Sequence, residues 1–226
     1  MPYNFFSAEY YESILVKALD QGYTFLTMRD YFRNPALQVG KLAILRHDID
    51  AKPLRTNIFF GVEQKLGVVS SNFLLVHDIN YNPFAINVLK LFMAIEASGS
   101  EIGLHSNYLE TAQILNVDPV ELLGSEVRAL RNHFDITGVA CHRNIDFMAN
   151  SLPHLVENWS CVRERFQLEY QAYDDRLMGN FEFVNEGLNP HLSWRNRSPE
   201  EAICEGKNFC FSTHPHWWHR RYAFED

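Results

Sequence analysis

Arg46, Asp48 and Asp50 occupy alternate positions at the end of the run "AILRHDID", residues 43–50. Side chains of an extended chain alternate between faces, so these three share one face while His47 and Ile49 take the other. Two carboxylates so close repel when both are charged, which suits the pair to holding a cation or to acid–base work with a shifted pKa. Capping of the next helix, or neutralisation of Arg46, would use the same residues. Four further runs set His beside other donors: "VHDIN" with His77, "GLHSN" with His105 and Asn107, "ACHRN" with His142 and Arg143, and "STHPHWW" with His214 and Trp217. A lone imidazole at such a place is either a hydrogen-bonded structural group or a ligand. Together with Asp50, His105 supplies the mixed oxygen and nitrogen set of a catalytic zinc or related ion, with a position left for water.

Each of these runs falls where an apolar, strand-like stretch ends. "KLAILRHD", "SSNFLLVHD", "EIGLHSN", "ITGVACHRN" and "KNFCFST" read as strands. Helical patterns lie between them at 53–66, closed by Gly67, at 83–98, ended by Gly99, and at 118–134, with a short helical piece at 148–159. A first helix is expected over 7–20, with Ser7 as N-cap and Gly22 as stop. Strands alternating with helices of this length imply parallel strands and crossover helices, hence a barrel or an open doubly wound sheet. In either, the strand carboxyl ends gather at one face, where sites are built. Residues 166–207 are polar and irregular in the middle and are expected as long loops around that mouth, with "PEEAICEG" a short helix introduced by Ser198.

At 226 residues and 46% hydrophobic content the chain can bury one substantial core, and one domain over 1–226 is the expectation. The formal charge of −8, without a Lys/Arg run, argues against a nucleic-acid partner and fits a neutral or weakly charged small substrate. No stretch approaches the roughly 20 apolar residues of a membrane span, and the N-terminus lacks the pattern of a signal peptide, so a cytoplasmic location is expected. Cys141, Cys161, Cys204 and Cys210 are widely spaced and read as reduced core thiols.

Taken in order, "LRHDID", "EIGLH", "HR" and "HPHW" resemble the motifs of the polysaccharide deacetylase family, metal-dependent carbohydrate N- or O-deacetylases, over about residues 42–218. The likeness is best to the shorter type associated with bacterial surface-polysaccharide and lipopolysaccharide O-antigen gene clusters. It implies an α/β fold, a distorted (β/α)7 barrel. It also implies that Asp48 is the general base acting on the attacking water and Asp50 a metal ligand. His105 opens the second motif, whose second His is replaced by Leu109. The third ligand place then falls to His142, with His77 and Asn107 behind it. Arg143 matches the Arg that pairs with the base, and His214 the acid that protonates the leaving group. Trp194, in "HLSWRNR", and Trp217 match aromatic walls on which sugar C–H faces pack, with His77 and Asn107 as further substrate contacts.

The implied cofactor is a divalent metal, zinc first, with cobalt, nickel or manganese as alternatives. The implied substrate is an acetylated sugar, nucleotide-linked, lipid-linked or polymeric, that loses acetate in surface-polysaccharide or O-antigen biosynthesis. Two other readings use the same residues: a non-catalytic carbohydrate-binding protein on a degenerate deacetylase scaffold, and a metal-dependent hydrolase of another amide or ester.

Overall fold

The computed structural model describes residues 6–142, 151–186 and 194–219. Within them lie strands β1 (Tyr23–Leu26), β2 (Lys41–Ile49), β3 (Ser71–Leu75), β4 (Glu101–Ser106), β5 (Gly138–Cys141), β6 (Tyr170–Gln171), β7 (Glu182–Asn185) and β8 (Phe209–Thr213). The helices are α1 (Ala8–Asp20), α2 (Met28–Arg33), α3 (Thr56–Leu66), α4 (Ile86–Ala97), α5 (Tyr108–Leu115), α6 (Pro119–Arg131), α7 (Ser151–Phe166), α8 (Asp175–Met178) and α9 (Pro199–Cys204). Their ends follow local chemistry. Ser7 and Asp118 cap α1 and α6 through the amides of Tyr10 and Glu121, and Ser198 and Glu201 form a capping box on α9.

The described strand pairings are parallel, in the order β6-β5-β4-β3-β2-β8-β7, with β1 beside the first half of β2. The sheet curls into a half-barrel flanked by helices, an α/β fold of the distorted barrel kind. β2 is its spine. It is long enough to hold β1 along Lys41–Ile44 and β3 along Arg46–Ile49, while β8 runs beside Ala43–His47.

Alternation along β2 sorts its side chains as the sequence pattern requires. Leu42 and Ile44 turn inward to pack with Phe73, Ala140, Tyr170 and Cys210. Ala43 and Leu45 turn outward onto Tyr11, Ile14 and Phe59, from α1 and α3. The inner floor is closed by Glu101, whose buried carboxylate accepts from Tyr170 Oη at 2.5 Å, Ser71 Oγ at 2.8 Å and the Arg29 amide at 2.9 Å. Burial holds that carboxyl above its ordinary range despite these bonds. Two glycines make room inside: Phe73 lies over Gly103, and Tyr170 over Gly138.

Several elements differ from expectation. Residues 166–207 are not only loop, since β6, α8 and β7 lie there, and β7 pairs with β8 along Glu182–Asn185. Strands of two and four residues are too short to show a period in the sequence. β1 and α2 escaped notice for the same reason, and α7 runs on to Phe166, beyond the short piece expected. Cys141 and Cys210 are buried, but Cys161 and Cys204 are exposed, which corrects the expectation of four core thiols. No helix among the described residues is long and apolar enough to cross a membrane.

A methyl group at Gly138 would meet the Tyr170 ring, which Glu101 holds in place. Gly138→Ala is therefore expected to destabilise the fold by roughly 1–3 kcal/mol, the usual range for overpacking. Denaturant unfolding checks this, and an unchanged midpoint would show that the ring can move aside.

Candidate active site

The inward face of β2 ends in charge. Arg46 and Asp48 are both buried and meet in a two-pronged pair, Nε to Oδ1 and Nη2 to Oδ2, each at 2.8 Å. Arg46 Nη2 also donates to Tyr173 Oη at 3.1 Å, and its guanidinium lies 4.9 Å from the Tyr173 ring centroid and 5.5 Å from that of Phe73. Burial would raise the Asp48 carboxyl, but Arg46, His105 and His214 outweigh it and hold the group below its ordinary value. Asp48 is thus a carboxylate, one able to accept a proton.

Asp50 follows on the same face, just past the strand end. His105, at the end of β4, brings Nε2 to 3.3 Å from Asp50 Oδ1, and His142, just after β5, brings Nε2 to 3.7 Å from Asp50 Oδ2. One ligand atom from each of Asp50, His105 and His142 falls within 4.8 Å of the others. Ala140 faces the barrel interior, so the period of two carries His142 inward as well. Main-chain groups hold the His105 ring and the His142 backbone: His105 Nδ1 is 2.9 Å from the Ala140 carbonyl, and the His142 amide donates to the Ser106 carbonyl at 2.8 Å. With Nδ1 bound to a carbonyl, His105 keeps the Nε2 lone pair for a ligand, the arrangement usual for metal-binding imidazoles. Burial and His105 together push the His142 imidazole down, favouring its neutral, ligating form.

These residues fit a divalent ion. Asp50 Oδ1 is buried without a hydrogen-bond partner. A carboxylate oxygen with two imidazole nitrogens is the donor set of zinc and its neighbours. Burial notwithstanding, His105, His214 and His142 hold the Asp50 carboxyl far below its ordinary value, so the oxygen is charged and ready to bind.

His214 follows β8 on the opposite side of Asp50, with Nε2 at 3.5 Å from Oδ2. Glu186 grips it twice: Oε2 lies 3.0 Å from Nδ1, and Oε1 accepts from the His214 amide at 3.0 Å and from Trp218 Nε1 at 2.6 Å. Burial disfavours the charged ring, but Glu186, Asp50 and Asp48 overcome it and raise the imidazole to about 9, so it carries a proton at neutral pH. Trp217 leans on it, ring centroids 4.3 Å apart. His216 lies beyond, 6.0 Å from the His214 ring; burial and the charge on His214 lower it to about 4.

The other residues singled out in the sequence have varied placements. Arg143 lies outside the described residues; the partner of Asp48 is Arg46. Trp194 packs within an aromatic cluster, 5.0 Å from Phe6 and 5.4 Å from Phe211 between ring centroids, and donates to Tyr10 Oη at 3.3 Å. His77 is in the loop after β3, with Nδ1 2.5 Å from Glu126, whose hydrogen bond raises the imidazole. Glu126 in turn takes the Ser106 hydroxyl. Asn107 sits at the start of α5, where Oδ1 accepts from Thr111 at 3.2 Å, and Leu109 packs against the outer core. Asp78 caps its own turn through the amides of Asn80 and Tyr81.

Neutralisation by Arg46 is one of the uses the sequence allows for the Asp pair; Glu186 is placed by the structure alone. Tyr173 and Tyr81 gave no signal. Tyr81 accepts from the Leu75 amide at 2.9 Å and donates to the Ile49 carbonyl at 2.7 Å, pinning the strand end that carries Asp50. Next to it, a groove of about 570 Å³ opens between Lys52–Ile58 and the start of α4.

The chain resembles in fold a deacetylase, PplD of Streptococcus pyogenes, solved in complex with acetate. The TM-score is 0.54 at 15% identity, over 87% of this chain and 85% of that one. No protein-family model matches the sequence, nor does any curated protein.

Two outcomes follow from this geometry. Arg46→Met strands Asp48 in the interior and is expected to cost about 3–5 kcal/mol in denaturant unfolding, with much of it recovered in Arg46→Met/Asp48→Leu. A double variant as unstable as the single would mean that Arg46 acts mainly through its packing. In calorimetric titration of chelator-treated protein with Zn²⁺, one site per chain is expected, lost in Asp50→Asn and in His142→Ala.

Proposed function

We propose that the chain is a metal-dependent hydrolase that removes the acetyl group from an acetylated sugar. The observation that carries this reading is the convergence of Asp48, Asp50, His105, His142 and His214 at the carboxyl ends of β2, β4, β5 and β8. The fold likeness to a deacetylase solved with acetate supports it, as does the order of the sequence motifs.

A divalent ion, zinc by preference, would be held by Asp50, His105 and His142 and would supply Lewis-acid polarisation of the acetyl carbonyl and a lowered pKa for water. The chain's own groups do the rest. Asp48, kept charged by Arg46, accepts a proton from the water that attacks the carbonyl carbon. His214, kept protonated by Glu186, donates through Nε2 to the departing nitrogen, or oxygen if the substrate is an ester. Base and acid thus have pKa values pushed apart by their environments. Trp217 walls the mouth beside His214 with a face suited to sugar C–H groups. The groove beyond Lys52, lined by Tyr81, Ala85 and the amides of Asn57, Asn82 and Asn87, offers room for what the sugar is attached to.

The test is acetate release by zinc-loaded protein from a panel of N-acetylated and O-acetylated sugars, free, nucleotide-linked, lipid-linked and polymeric. Asp48→Asn is expected to keep the metal and lose at least about 100-fold in turnover, the scale of general-base loss. Wild-type protein that binds zinc and releases acetate from none of them would overturn the reading.

A further inference from the structure

Directly behind Asp48, on the outer face of β2, stands a second group of polar residues that the proposed chemistry does not use. His47 is fully buried; its Nδ1 lies 2.6 Å from Thr213 Oγ1 and its Nε2 2.8 Å from Glu63 Oε1. Glu63, on α3, also accepts from Tyr11 Oη at 2.8 Å and, through its other oxygen, from Ser70 Oγ at 2.8 Å. Burial would raise this carboxyl, but His47 and the bonds from Tyr11 and Ser70 hold it below its ordinary value. The neighbouring outward positions of β2, Ala43 and Leu45, are closed by apolar packing alone. Apolar side chains at His47 and Glu63 could seal that face too, without desolvating two ionisable groups.

What the polar pair adds is direction. His47 is the residue before Asp48, and Thr213 the residue before His214; the two are register partners in the pairing of β2 with β8. The 2.6 Å contact therefore joins, one residue back, the strand that carries the base to the strand that carries the acid. Thr213 Oγ1 also reaches the Arg46 carbonyl at 3.5 Å, the other flank of the same strand end. Glu63 fixes the far side of the imidazole, and is itself fixed by Tyr11 of α1 and by Ser70, the residue before β3.

We propose that Thr213, His47 and Glu63 are positioning residues that set the location of His214 relative to Asp48 and Asp50. This rests on the deacetylase reading for its kinetic consequence, but not for its structural one. Thr213→Val keeps the shape of the side chain and removes the hydroxyl; Thr213→Ser keeps the hydroxyl. Both variants of the zinc-loaded chain are compared with wild type by amide hydrogen exchange and, on whichever sugar of the panel above releases acetate, by kcat and KM.

The Val variant is expected to exchange the His214 amide at least about 10-fold faster, with other strands unchanged. Its kcat should fall about 10- to 100-fold, since displacement of a reacting group by an ångström is worth that much. KM and zinc affinity should stay within about twofold of wild type, and Thr213→Ser should behave as wild type. Unchanged exchange at His214 in the Val variant, an equal loss in the Ser variant, or a fall in zinc affinity matching the fall in kcat would each overturn the proposal. If Thr213→Val does not fold, Glu63→Gln decides: it should loosen the same amide, and wild-type exchange there overturns the relay. If wild-type protein turns over no sugar, the deacetylase reading fails while the exchange measurement still decides this one.

Discussion

A guanidinium enclosed by a barrel has to be answered by an anion, and in this fold the answer is two residues away on the same strand. Arg46 is about as enclosed as the leucines and isoleucines below it, and Asp48 is its ionic partner. Removing such a pair from water costs several kcal/mol per ion, and only close two-pronged geometry with further polar contacts offsets this. Tyr173 and Phe73 provide the remaining contacts, one through its hydroxyl and both through their rings. The Phe73 ring needs space, so Gly103 stands where another side chain would collide with it. The demand of one buried charge thereby reaches across β3 to β4.

The mouth is held by a repeated device, a His joined to a Glu from a distant part of the chain. His47 meets Glu63 of α3, His77 meets Glu126 of α6, and His214 meets Glu186 after β7. Each pair fixes a different strand end. Glu126 reaches the strand that carries His105 through Ser106, whose carbonyl also receives the His142 amide. Glu186 ties His214 to Trp218 and so anchors the turn that presents Trp217. The chemistry proposed for the inner face depends on carboxylates that never touch the reacting atoms.

The alternation of faces in "LRHDID" was readable because a period of two needs no partner strand to be known, and it put Arg46 and Asp48 side by side. The clustering of His at strand ends was likewise readable, and it set His105 beside Asp50; His142 as a third ligand came only with the resemblance to the deacetylase motifs. What escaped was whatever depends on segments meeting across the fold. Glu63, Glu126 and Tyr173 look like ordinary helix or loop residues until α3, α6 and the chain after β6 are in place. β6 and β7 escaped because two and four residues carry no detectable period, although they give the half-barrel its outer strands. Trp194 shows the reverse limit: an aromatic residue near a motif reads the same whether it faces a sugar or, as its ring contacts place it, Phe6 and Phe211.

One of the two rings proposed as ligands is oriented by a peptide group: His105 Nδ1 lies 2.9 Å from the Ala140 carbonyl, while His142 is tied through its backbone amide to Ser106. Both contacts run between the paired strands β4 and β5 and the residue that follows β5. An ion held there as proposed would meet an imidazole already fixed by the fold and would spend little conformational entropy on it. It would then act as an exchangeable part, not as the nucleus around which the chain folds.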